Sequence, residues 1–205
     1  MGEFDFARWA LPAVVVLAGA AWIVLASQDW RWTIAGLGVM YAAVFVLVAG
    51  TWRLELAVVK LVAGWMATAI LGASQEPFLP EPDRDRPSGI VFRLLAGGMV
   101  NLVIFSLVPE TASLLENYLE NIHLPQLSGG LLLAGMGLVM LGLNARPLRV
   151  VLALLVLFAG FEVLYAMVER STLVAGLLAL VNLALALIGA YLQMAPKLDT
   201  SEGVK

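Results

Sequence analysis

Apolar residues gather into seven long runs along this chain, separated by short polar stretches. A helix needs about 18–20 apolar residues to cross a hydrocarbon core, and several runs reach that length. They cover Trp9–Ala26, Thr33–Gly50, Leu54–Ala73, Gly89–Val108, Ser128–Asn144, Pro147–Val168 and Thr172–Met194. The pattern predicts an all-α fold, a polytopic transmembrane helix bundle of about seven spans, with six as the alternative count. The fourth run is the least regular, with Arg93 early and Asn101 in its middle. Arg93 is expected to snorkel toward the interface. Asp29-Trp30-Arg31-Trp32 and Thr51-Trp52-Arg53 read as turns at the membrane surface, where tryptophan anchors.

Two polar segments interrupt this rhythm. Gln75–Ser88 carries four prolines among alternating charges, which prevents a long helix. Pro109–Leu127 is not apolar enough for a span. Its Ala112, Leu115, Leu119 and Ile122 recur at helical spacing, away from Glu116, Glu120 and Asn121, as in a helix lying on a membrane surface. The resulting organisation is a three-helix membrane unit at 1–74 and a loop at 75–88. A fourth span with an amphipathic segment occupies 89–127, a second three-helix unit 128–196, and a polar tail 197–205. Pro196 is read as the end of the last span. The V-L-A at Ala26 resembles a signal-peptidase site; we read the first run as a retained helix, with Pro12 tolerated in its first turn.

Composition changes the picture mainly by exclusion. The chain is 61% hydrophobic and 13% charged, about half the charge of an ordinary soluble domain. Net charge is −3, so there is no basic surface for nucleic acid. Absence of cysteine removes disulfides, thiolate metal sites and iron–sulfur clusters. The single histidine, His123, lies in a polar stretch and cannot hold a haem with a second histidine or serve a catalytic triad. No phosphate-binding loop, dinucleotide glycine fingerprint or zinc-protease motif is present. We expect no cofactor, no metal and no enzyme activity of its own.

Charge also suggests an orientation. With the N-terminus outside, Arg31, Arg84, Arg86, Arg93, Arg146, Arg149, Lys197 and Lys205 face the cytoplasm. Arg8, Arg53, Arg170 and the acidic 109–127 segment then lie outside, and the C-terminus is cytoplasmic. A faint repeat accompanies this arrangement. A shift of 96 residues (53 to 149) aligns Arg53, Leu56, Ala57, Leu61, Ala63 and Gly64 with Arg149, Leu152, Ala153, Leu157, Ala159 and Gly160. Units of three spans would then be inverted copies, as in many transporters.

The candidate chemistry centres on Glu162, a carboxylate well inside the apolar run Pro147–Val168. Such a residue costs about 2.5–3.5 kcal/mol to insert. It shares a helix face with Tyr165 and Glu169, at spacings of three and four residues, a stripe suited to a proton path. The alternative is a glutamate that hydrogen-bonds a neighbouring helix and holds packing. Lys60 is the other candidate buried charge, although its stem is expected to snorkel. Asn182 and Asn101 are single amides suited to bonds between helices; Asn182 gains interest if its helix packs on the Glu162 face. A retinal Schiff base is excluded, because Thr172–Met194 contains no lysine.

Residues 128–194 combine a glycine-rich helix (GGLLLAGMGLVMLGL), an arginine-bearing turn (Arg146, Arg149), GFEVLYA around Glu162 and an apolar third helix ending LALIGAYL. This unit resembles the small three-helix K subunit of respiratory complex I and the C subunit of Mrp-type sodium/proton antiporters. The resemblance implies that Glu162 matches the second-helix glutamate of that family, a member of its proton-transfer line. Two departures stand out: a longer arginine-to-glutamate spacing, and Asn182 where complex I has a third-helix glutamate. The resemblance points to a multi-pass subunit of the cell (inner) membrane in a multi-subunit proton- or ion-translocating complex. Its partners would be other integral membrane subunits and lipid. A small inverted-repeat transporter and a purely structural anchor are the alternatives.

Overall fold

The computed structural model describes residues 6–75, 87–116, 123–144, 146–169 and 171–202. These form α1 (Phe6–Ala26), α2 (Trp30–Ala49), α3 (Leu54–Ala73), α4 (Pro87–Leu115), α5 (Leu124–Leu143), α6 (Pro147–Val168) and α7 (Thr172–Glu202), with no strand among the described residues. All seven are long and apolar enough to cross a membrane. Prolines open three of them: Pro87, Pro125 and Pro147 sit in the first turns of α4, α5 and α6, where a missing N–H costs nothing. The α1–α2 turn is tied locally, since the Ser27 and Thr33 hydroxyls both donate to the Asp29 carbonyl at 3.0 Å.

Side-chain contacts give the topology. Gly36 of α2 lies against Ala20, Ile23 and Val24 of α1, and Gly64 of α3 against Tyr41 of α2. Gly135 of α5 meets Val100 and Ile104 of α4, and Gly130 of α5 meets Gly160 and Leu164 of α6. The packed pairs joined by short turns, α1–α2, α2–α3, α5–α6 and α6–α7, therefore run antiparallel. Connections collect at two ends. At one, Trp52 Nε1 donates to the Glu169 carbonyl at 3.1 Å and Gln126 Nε2 to Thr51 Oγ1 at 3.3 Å. We call this the Trp52 end. At the other, Arg149 donates to the Ser27 carbonyl, and Gln75 of the α3 terminus donates to Gln193 of α7. Helices α3 and α7 thus run parallel, and α7 packs on both α3 and α6.

The core is apolar and continuous, with Leu17, Leu25, Leu37, Val44, Leu133, Met136, Leu155 and Val163 among its buried residues. α1 contributes to it directly through Leu17, Ala21 and Leu25, as an integral helix would. The tightest seam is α5–α6. A Cβ added to Gly160 would lie 2.8 Å from the Gly130 carbonyl oxygen and closer still to the Ala134 nitrogen. At Gly137 it would lie 2.6 Å from the Leu157 nitrogen. Only glycine lets two backbones approach this closely.

Several boundaries differ from the sequence reading: residues 30–32, read as a turn, open α2, and residues 124–127, read as part of the surface segment, are the first turn of α5. Residues 109–115 are the last turns of α4, not the start of a separate surface helix. Buried Ala112 continues the inward face of α4, so the spacing noted beyond Pro109 begins within that helix. The Ser106 and Thr111 hydroxyls donate to the Leu102 and Leu107 carbonyls around the proline, a usual companion of proline in membrane helices. Likewise α7 continues through Pro196 to Glu202. Pro196 removes one N–H without ending the helix. The greater part of the 75–88 loop, together with 117–122, Arg170 and 203–205, lies outside the described residues.

Candidate functional site

Three helices bring three polar side chains together inside the bundle: Lys60 from α3, Glu162 from α6 and Asn182 from α7. Lys60 Nζ forms an ion pair with Glu162 Oε2. Asn182 Nδ2 donates to both carboxylate oxygens, at 3.2 and 3.3 Å. The three residues are 7%, 1% and 0% exposed. Glu162 lies six residues before the end of α6 and Lys60 six after the start of α3, so both sit about 9 Å from the Trp52 end at 1.5 Å per residue. The cluster lies in the half of the membrane bounded by that end.

Local sequence explains the convergence. Buried Ala57, Ala63, Gly64 and Ala67 surround Lys60 on α3. Their small side chains admit α7 and α2 closely, leaving the long lysine stem to cross toward α6. The tyrosine ring of Tyr41 lies on Gly64, one turn from Lys60, where any Cβ would collide with it. Snorkelling of Lys60 is thereby overturned. Its stem has the reach, but the face that carries it is the buried one. The amide orientation of Asn182 follows from chemistry, because an ionised carboxylate only accepts.

The Glu162 stripe divides. Tyr165 is half-buried and stacks on exposed Phe161, centroids 5.9 Å apart. Glu169 lies beyond the end of α6, exposed, with its carbonyl accepting the Trp52 indole. Neither is among the hydrogen-bond or ion-pair partners of Glu162. The conditional interest of Asn182 is realised, since α7 does pack on the Glu162 face. Asn101 of α4 is half-buried, apart from this cluster in the chain's packing.

Sequence reasoning missed a second layer. Gln126, 2% exposed in the first turn of α5, donates to the Val163 carbonyl at 3.0 Å and to Thr51. It spans α6 and the α2–α3 turn immediately beside Glu162. Trp52, also buried, clamps that turn onto the end of α6. Its placement in a polar segment gave Gln126 no distinguishing signal.

Chemically, the arrangement holds a basic and an acidic side chain in contact inside the bundle, with an amide fixing the carboxylate. No group of three or more histidine, cysteine or acidic side chains able to hold a metal occurs among the described residues. Neither a family model nor a curated protein nor a solved structure matches this chain.

Proposed function

We propose that this chain is a non-catalytic membrane subunit of a multi-subunit proton- or ion-translocating complex, of the complex I, Mrp or membrane-hydrogenase kind. In this reading it is a multi-pass protein of the cell membrane with its N-terminus outside, and redox or antiport chemistry belongs to its partners. The Lys60–Glu162–Asn182 cluster is a station where a proton is held and passed on. The observation that carries the reading is the ion pair between α3 and α6. Intramembrane charges are rare and mark ion and proton paths when they face a bundle interior. Lys60 holds an exchangeable proton beside the carboxylate, and its transfer to Glu162 leaves both groups neutral, so that neither is a bare ion in hydrocarbon.

Support for partners comes from α4. Phe92, Leu95, Met99 and Leu102 are each more than 60% exposed, an apolar face that lipid or neighbouring subunits cover. A structural reading rests on the same pair, which ties the first three-helix unit to the second. The two separate by experiment. In the proton-transfer reading, Glu162→Gln leaves the complex assembled and abolishes proton flux. Assembled complex with undiminished flux overturns that reading; loss of assembly alone favours the structural one.

A further inference from the structure

Three buried polar atoms in and beside the cluster lack a hydrogen-bonding partner in the protein and a fourth group is only partly satisfied, and they are of both kinds. Tyr41 carries a hydroxyl donor, and the Lys60 ammonium has N–H bonds beyond the one aimed at Glu162. Gln126 Oε1 and Asn182 Oδ1 are acceptors. All four belong to one neighbourhood. Tyr41 packs on Gly64, a turn from Lys60; Asn182 holds Glu162; and Gln126 holds the carbonyl of Val163, the residue after Glu162. Buried polar groups are satisfied in the great majority of cases.

The mixture of donors and acceptors identifies the ligand. A metal cation suits the two carbonyl oxygens but meets the Lys60 ammonium. An anion suits the donors but meets the Glu162 carboxylate. Water donates and accepts at once, typically with two to four partners, and satisfies all four groups. The direction of access follows from the lining. From the cluster toward the opposite end, α6 presents buried Leu155, Leu152 and Val151, α7 presents Ala186, and the buried hydroxyl of Thr68 on α3 is spent on the Gly64 carbonyl of its own helix. Toward the Trp52 end, the next polar side chain is Gln126, held to Thr51 by its longer bond.

We propose that water hydrates the Lys60–Glu162–Asn182 cluster from the Trp52 end of the bundle and that Gln126 is the gate to that water. Release of the longer Thr51 bond leaves the amide held only at the Val163 carbonyl, about which it can pivot while Trp52 keeps the α2–α3 turn in place. The inference rests on the unpartnered atoms, not on proton transfer. A pumping complex with a dry cluster sinks the gate alone, and a hydrated cluster with a pumping Glu162→Gln variant sinks the proton-transfer reading alone.

The natural chain has no cysteine, so Asn182→Cys introduces a single thiol for labelling in membrane vesicles with methanethiosulfonate ethylammonium. This thiol is expected to react several-fold faster than that of Ala186→Cys, one turn away on α7 and equally buried. The reagent should act from the face carrying Thr51. Gln126→Ala should speed the reaction and Gln126→Leu should slow it. Equal rates at the two thiols, or rates indifferent to both Gln126 variants, overturn the proposal. The unmodified chain supplies a second measurement. Under radiolysis in ¹⁸O-water, Tyr41 should take up label well above Leu37, as deeply buried on the same helix, after each is normalised to the intrinsic reactivity of its side-chain type. Uptake at Tyr41 no greater than at Leu37 overturns it too.

Discussion

Helix α6 is held on two sides by opposite means. Toward α5 it offers Gly160, and the two backbones meet with no side chain between them. Toward α3 and α7, two residues later, it offers Glu162, and contact is made by a long lysine stem and an amide. The first seam is dispersion and close approach, the interaction that holds helices together in lipid. The second puts two charges where their desolvation offsets much of their attraction. A bundle needing only stability would have used the first solution twice. The contrast locates the constant part of the molecule at α5–α6 and the part available for charge movement at α3–α6–α7.

Removing one charge should give the largest effect. Lys60→Met leaves Glu162 buried without its counter-ion and is expected to destabilise the chain by about 3–5 kcal/mol, read as unfolding in detergent. The double variant Lys60→Met/Glu162→Gln should recover most of that loss. A single variant as stable as the parent would remove the distinction between the seams. Next comes Gly160→Ala, whose added methyl pushes on backbone and should cost about 1–3 kcal/mol. Unlike Glu162→Gln, it should leave flux per assembled complex unchanged, and a selective loss of flux there would blur the comparison. Asn182→Ala removes an interhelical bond worth roughly 0.6–2 kcal/mol and should lower flux more than this stability loss explains. The smallest effect belongs to Trp52→Phe. It deletes one hydrogen bond at nearly constant shape, for about 0.5–1.5 kcal/mol by the same unfolding assay.

Much of the frame was legible from the chain itself. Seven apolar runs became seven helices because length and composition alone decide whether a segment suits hydrocarbon. Glu162 stood out because a carboxylate in such a run needs a compensating partner. The identity of that partner was not legible. Lys60 lies on a helix apolar almost all round, where periodicity does not select an inward face. The face is settled only in the assembled bundle, where Tyr41 of α2 lies on Gly64 and α7 packs on α3. Tyr165 and Glu169 stand apart from the ion pair for a related reason. Shared helical spacing puts residues on one side of α6, but Glu162 turns to α7 while Glu169 already lies past the helix end. Pro109 and Pro196 misled because proline signals a break most strongly in soluble helices, whereas α4 and α7 carry it through.

The double variant Lys60→Met/Glu162→Gln, assembled with its partner subunits and measured for proton flux in proteoliposomes, tests the central claim most directly. It removes both charges while keeping similar volumes and a carbonyl oxygen for Asn182. We predict a complex that assembles with near-parental stability and carries no flux. Flux at the parental level in that variant would contradict the account and leave the ion pair as a fastening between helices.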